Sequence, residues 1–304
     1  MMTLQESIYK TLYYFNLAYD APLSLEQTHY FLWKNKADII DVSRALSVME
    51  DVQQLNGYYV LKQFSGILDT VDERHKQFEI DWKKITNEII RLSHIPFIRC
   101  VGISSRHALG LSKPNSDIDL FFIVKPNRLY FSRALLGLYL KMRGLKTNLN
   151  DRSGKICLGS FITSDCDNLK QLFFNDDYAF IYKTFWMVNL LPLLGREEYK
   201  RFVDANNWIF DYFPNFNVDH KIEGMKNIAS SKTKIFFEAS MSNWIGDFFE
   251  FLLAKLQLRF VPRWQRFAKK KYGVSKFSMK INHAIFMPFI IRFEKEYQLL
   301  YQDK

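Results

Sequence analysis

Cysteine is scarce in this chain: 304 residues contain three, Cys100, Cys157 and Cys166. That is too few for a disulfide framework and points to a reducing compartment. No Cys-x-x-Cys pair occurs, and the six histidines (His29, His75, His94, His107, His220 and His283) show no metal-ligand spacing, which argues against zinc. Long apolar runs are also missing. The longest, Phe180 to Leu194, is interrupted by Lys183 and Asn189 and is too short to span a bilayer. The opening residues MMTLQESIYK carry Glu6 and no apolar h-region, so no secretory leader is expected, and the chain reads as soluble and cytoplasmic. One further absence is local: residues 251–280 contain no acid.

What is present is ordinary globular material. Apolar residues make up 48% and charged residues 24%, which excludes disorder and collagen and provides for a sizeable core. At roughly 150 residues per domain, the length suggests two domains or one large domain with an appendage. The formal charge is +10, and it is unevenly placed. Residues 221–304 hold 16 Lys and Arg against 7 Asp and Glu, whereas residues 1–220 are nearly neutral with 26 against 25.

The first 68 residues predict three helices and a small hairpin, the outline of a winged helix. Leu4, Ile8, Leu12 and Phe15 repeat at helical spacing. Ser24 and Gln27 form a capping box for a second helix through about Trp33. A third is expected over Asp41 to Leu55, and Asn56-Gly57 turns the chain into the strand-like Tyr58–Leu61. That third helix offers Arg44 against Asp41, Glu50 and Asp51, a poor match for phosphate, so the module reads as a packing or protein-contact unit rather than a DNA reader. Residues 69–175 open with a long amphipathic helix over 70–94 ended by Pro96. Strand-like runs follow at Phe97–Ile103, Asp117–Val124 and Ile156–Ile162, with an apolar helix over Asn127–Arg143. Residues 176–304 read as helical throughout, broken at Pro192 and Pro214, with Trp244, Phe248, Phe249, Leu252 and Leu256 facing a core. The fold class is α+β.

The strongest chemical signal is the run from Gly110 to Leu120, which ends Ser116-Asp117-Ile118-Asp119-Leu120. Alternate side chains of a strand share a face, so Asp117 and Asp119 project together. Paired carboxylates repel unless a cation lies between them, and hard oxygen donors of this kind suit Mg²⁺ or Mn²⁺, ions that also hold substrate phosphates. His107 lies inside the preceding turn and is read as a packing or surface residue. Asn127-Arg128, after the strand, is read as a helix start with a phosphate contact as the alternative.

The 24-residue run from Val101 to Val124 resembles the DNA polymerase β-like nucleotidyltransferase superfamily. Ala108-Leu109-Gly110 followed by Ser116 to Leu120 is similar to stand-alone bacterial nucleotidyltransferase-domain proteins. The helical start, the linker helix, Lys155-Ile156-Cys157 and Gly195-Arg196-Glu197-Glu198 also resemble members that add an amino-terminal winged helix and a carboxy-terminal helical region. The resemblance implies transfer of a nucleoside monophosphate from an NTP to an acceptor hydroxyl or similar group. Asp117 and Asp119 would hold Mg²⁺ (or Mn²⁺), and Ser104, Ser105, Arg106, Gly110 and Ser116 would cradle phosphate. The sequence departs from the pattern twice: Ser105-Arg106 stands at the Gly-Ser pair, and residues 155–163 contain no third carboxylate.

The carboxy-terminal cations Lys255, Arg259, Arg263, Arg266, Lys269, Lys270, Lys271, Lys276 and Lys280 alternate with Phe260, Trp264, Phe267, Tyr272 and Phe277. Positions 255, 259, 263, 266 and 270 share one face of a continuous helix, although Pro262 interrupts it. Cations among aromatics suit an anionic partner, either nucleic acid or a membrane surface. Two readings follow: a metal-dependent nucleotidyltransferase, or a catalytically degenerate relative that binds nucleic acid or a partner protein through this region.

Overall fold

The computed structural model describes residues 2–148, 151–172, 177–223, 225, 227–228, 231–261, 266, 276–280 and 283–287. The fold is α+β. The chain begins with α1 (Leu4–Tyr19), whose Thr3 and Glu6 form a capping box. Next come β1 (Leu23–Ser24) and α2 (Leu25–Tyr30), started by the expected Ser24–Gln27 box. The third helix, α3, covers Ile39–Val48 rather than running to Leu55. The reason is the turn at Asn56-Gly57, both at positive φ (51° and 81°). It folds β2 (Val52–Leu55) back onto β3 (Tyr58–Leu61), and those backbone groups pair across the hairpin instead of along a helix. β1, β3 and β2 form a three-stranded sheet in that order.

A 3₁₀ stretch leads into α4 (Val71–Ser93), and then β4 (Ile98–Ile103), β5 (Ile118–Val124), α5 (Leu129–Met142) and β6 (Ile156–Thr163) follow. After α6 (Leu169–Leu172) and α7 (Asp177–Asn189) the helical expectation is corrected. Leu191–Leu194 is a strand, β7, despite Pro192, because it pairs at the sheet edge with β4. Helices α8 (Arg196–Asp204), α9 (Val218–Ile222), α10 (Lys232–Ser240) and α11 (Trp244–Leu258) come next. Two more strands, β8 (Lys276–Met279) and β9 (His283–Met287), return to the same sheet, so the order is β7-β4-β5-β6-β9-β8. β5 and β6 are parallel, and the other neighbours are antiparallel.

Alternation along β5 divides the core. Ile118, Leu120, Phe122 and Val124 pack with α4 and α5 on one face. Phe121 and Ile123 pack on the other, with α7, α8 and the amino-terminal helices. Asp119, in phase with Phe121, therefore projects toward the amino-terminal side.

Helix α11 lies along α5. Arg128, just before α5, is buried and donates to the Met241 carbonyl and to Asp247 at 2.6 Å. Glu250 accepts the Tyr130 and Phe131 amides at 2.9 and 2.8 Å and so supplies the cap that α5 lacks. Arg128 is thus committed to this junction, not to phosphate. The outward side of α11 is apolar and exposed: Trp244 is 76% accessible, Phe248 57% and Phe251 66%, with Phe249, Leu252 and Leu256 also exposed. The expectation that these residues face a core is corrected. A helix that is apolar all round reads as buried, but here, among the described residues, it is the side bearing Gly246, Glu250, Leu253 and Ala254 that packs against a neighbour. Among the described residues no helix is long and apolar enough to cross a membrane.

Candidate functional site

The turn that follows β4 meets the start of β5. Strand β4 ends at Ile103, and Ser104 continues extended, its amide donating to the Asp119 carbonyl at 3.0 Å. Ser105 then turns left-handed, with φ 63°. This is where the resemblance expects glycine, and serine takes a conformation that glycine adopts without strain. The strained residue is held from two sides. Its hydroxyl donates to Asp119 Oδ2 at 2.9 Å, and its carbonyl accepts from Asn189 Nδ2 at 3.0 Å. One 3₁₀ turn, Ser105–Leu109, follows and closes at Gly110, with φ 76°.

Arg106 is drawn toward the amino-terminal module, its Nε donating to the Tyr19 carbonyl at 2.5 Å. His107 is buried and bonds Asp81 of α4 at 3.1 Å, and Ser112 donates to the same carboxylate at 2.6 Å. The histidine is a packing residue that bolts the turn to α4. Ser116 shapes the next turn, donating to the Lys113 carbonyl at 2.8 Å and meeting Ser112 Oγ at 3.2 Å. The structure therefore brings Ser105 directly to the carboxylates, whereas Arg106 and Ser116 have partners elsewhere in the scaffold.

Asp117 sits one residue before β5, with its side chain 13% accessible. Arg152 holds it at 2.7 Å. The loop bearing Arg152 is itself pinned: the Gly154 amide donates to the Ser116 carbonyl at 2.9 Å, Lys84 Nζ donates to the Gly154 carbonyl at 2.8 Å, and Ser153 donates to the Pro114 carbonyl at 2.5 Å. Burial, with the Asp117 charge beside it, pushes the Asp119 carboxyl up to about 6.

No third carboxylate joins the pair among the described residues. Asp151 faces Lys155 at 3.5 Å and Asp167 faces Arg201 at 4.0 Å. The third group is a thiol. Parallel pairing sets Cys157 of β6 opposite Asp119, and ligand atoms of Asp117, Asp119 and Cys157 all lie within 4.8 Å of one another. Burial, together with the charges of Asp119 and Asp117, holds the Cys157 thiol protonated well above its usual range. The register then slips, with Phe121 opposite Ser160, so Gly159 falls beside the cluster. A Cβ on Gly159 would stand 3.5 Å from Cys157 Sγ and 4.0 Å from Asp119 Oδ1; the glycine leaves that space clear.

Two carboxylates fit a divalent cation. A thiol beside them does not fit the all-oxygen shell that Mg²⁺ requires.

Of the carboxy-terminal cations, Arg259 caps the end of α11, and Arg266 and Lys280 are exposed. Arg263, Lys269, Lys270 and Lys271 lie outside the described residues. No family model matches the chain, and neither a curated protein nor a solved structure matches it.

Proposed function

We propose that the chain is a divalent-metal-dependent nucleotidyltransferase that moves a nucleoside monophosphate from an NTP to an acceptor hydroxyl or similar group. In this reading residues 1–68 are a winged-helix-like module and residues 69–175 carry the polymerase β-like core. Residues 176–304 add a helical region that also lends β7, β8 and β9 to the core sheet. The observation that carries the reading is the convergence of Asp117 and Asp119 at a strand start, beside a left-handed turn whose Ser105 hydroxyl orients one of them.

Asp117 and Asp119 hold the cation, and Ser105 fixes the rotamer of Asp119. The Ser104–Gly110 turn offers its backbone to the phosphates. A bound divalent cation supplies positive charge to the attacking oxygen and to the leaving pyrophosphate. The reading is tested with α-labelled NTPs and a panel of small-molecule, peptide and RNA acceptors, in Mg²⁺, Mn²⁺ and Zn²⁺. Wild type is expected to transfer label, with Asp117→Asn and Asp119→Asn at background. Absence of both metal-dependent NTP binding and transfer by wild type overturns it.

A second reading, a degenerate fold that binds an anionic macromolecule, is favoured by Arg152 at Asp117 and by the engagement of Arg106 with Tyr19. It expects affinity for single-stranded RNA to fall steeply with salt, each phosphate contact adding about 0.7 to the magnitude of the logarithmic slope. Neutralising Lys269, Lys270 and Lys271 should abolish that binding. Salt-insensitive or absent binding removes this reading.

A further inference from the structure

We propose that Cys157 is the third ligand of the Asp117–Asp119 site and that the site accordingly takes a thiophilic divalent cation, Zn²⁺ before Mg²⁺. The inference rests on the metal-dependent reading above and deepens it by naming the ion. Three observations carry it. Cys157 is the residue that the parallel register sets opposite Asp119 on the neighbouring strand. One ligand atom from each of the three residues lies within 4.8 Å of the others. Across a tetrahedral ion with bonds of about 2.0–2.3 Å the donors stand about 3.5 Å apart, so small side-chain rotations close the set. Gly159 puts no side chain beside Sγ and Oδ1, where a Cβ would stand 3.5 and 4.0 Å from them, so residue 159 does not obstruct an ion at the cluster.

The chemistry selects among ions. Magnesium keeps an octahedral shell of oxygens and has little affinity for sulfur. Zinc accepts mixed sulfur and carboxylate donors in four-coordination, and three protein ligands with one open position is the arrangement of a working site rather than a closed structural one. On binding, the Cys157 S–H bond gives its proton to solvent and sulfur takes the cation in its place. Sequence spacing alone argued against zinc because it looks for Cys and His near one another along the chain. Here the ligands are 38 residues apart and are joined by strand pairing.

The experiment uses the full chain and metal ions alone. Zn²⁺, Co²⁺, Mn²⁺ and Mg²⁺ are titrated by calorimetry, and the Co²⁺ form is read by absorption. Wild type is expected to bind one Co²⁺ with a near-ultraviolet thiolate-to-metal charge-transfer band and to prefer Zn²⁺ to Mg²⁺. Cys157→Ser, which preserves the shape of the site, is expected to lose that band and to weaken Zn²⁺ by about 100-fold or more, at least the loss typical of an outer-shell partner. Cys157→Asp should lose the band and move preference toward Mg²⁺ and Mn²⁺, while Asp119→Asn should lose the ion, placing the signal at this cluster. Co²⁺ bound without the band, or Zn²⁺ held equally by wild type and Cys157→Ser, overturns the cysteine ligand and leaves the carboxylate site standing. No divalent ion bound by wild type overturns both.

Discussion

Lys234 shows how a single buried charge leaves its mark on stability. It is almost wholly buried, donating to the Ser93 and Ile98 carbonyls at 2.8 and 3.2 Å, and burial lowers its amine to about 8. The unfolded chain therefore binds more protons than the folded one between pH 8 and about 10.5. The stability Lys234 contributes is complete above that window and is lost as pH falls through it. Unfolding free energies of wild type and Lys234→Met, from denaturant curves at pH 7 and 9.5, should diverge by about 2 kcal/mol in favour of wild type at the higher pH. Equal pH dependence in the two proteins would contradict the assignment. Legibility at this scale was uneven. Asp117 and Asp119 stood out because a strand's two-residue period puts them on one face whatever the rest of the fold does. Cys157 did not, since its place opposite Asp119 depends on a parallel register that no local pattern encodes. Arg106 looked like a phosphate contact because it is a flexible cation beside the motif, whereas Arg128 reads as a helix start, which it is. Both donate to distant carbonyls, those of Tyr19 and Met241, partners that no local pattern encodes.

Among the elements, β4, β5, β6 and the Asn56-Gly57 turn were readable, because continuous apolar runs and a positive-φ dipeptide are local signals. β7 was not, because Pro192 reads as a break; it is tolerated only because the strand is at the sheet edge. Gly195 follows that strand and opens α8 with φ 88°. A Cβ there would lie 2.1 Å from the Arg99 carbonyl oxygen and 2.8 Å from Cys100 Cα, both backbone atoms that cannot turn aside. Gly195→Ala should therefore cost at least about 2 kcal/mol, combining left-handed strain with a backbone clash. Gly57→Ala, also at positive φ but with nothing within 4 Å, should cost less. Thermal melts of the two variants side by side test the difference, and similar losses would refute the role given to the Arg99 contact.

For the whole molecule, the uneven composition has a counterpart in the surface. The region that holds most of the positive charge also holds the exposed apolar side of α11. Phe248 and Phe251 contribute area to solvent rather than to a core, so Phe248→Asp with Phe251→Asp should leave the melting temperature nearly unchanged. A drop of several degrees would place those rings in a core after all. The sequence could not disclose this face, because apolar residues all around a helix are the signature of burial until the neighbours are known.

Arg152 gives the carboxylates a counter-ion that belongs to the chain. The two acids do not have to wait for an external ion before the strand start can form, so folding in a chelator should proceed and the melting temperature should survive it. In the proposed metal site an arriving cation would enter by exchange, dislodging a guanidinium whose loop is fastened at Pro114, Ser116 and Lys84. That exchange sets a threshold: ions held by charge alone must compete with a tethered charge already in place, and only those that also gain a coordinate bond displace it at low concentration. Under that proposal the arginine would work as a filter on what the site accepts.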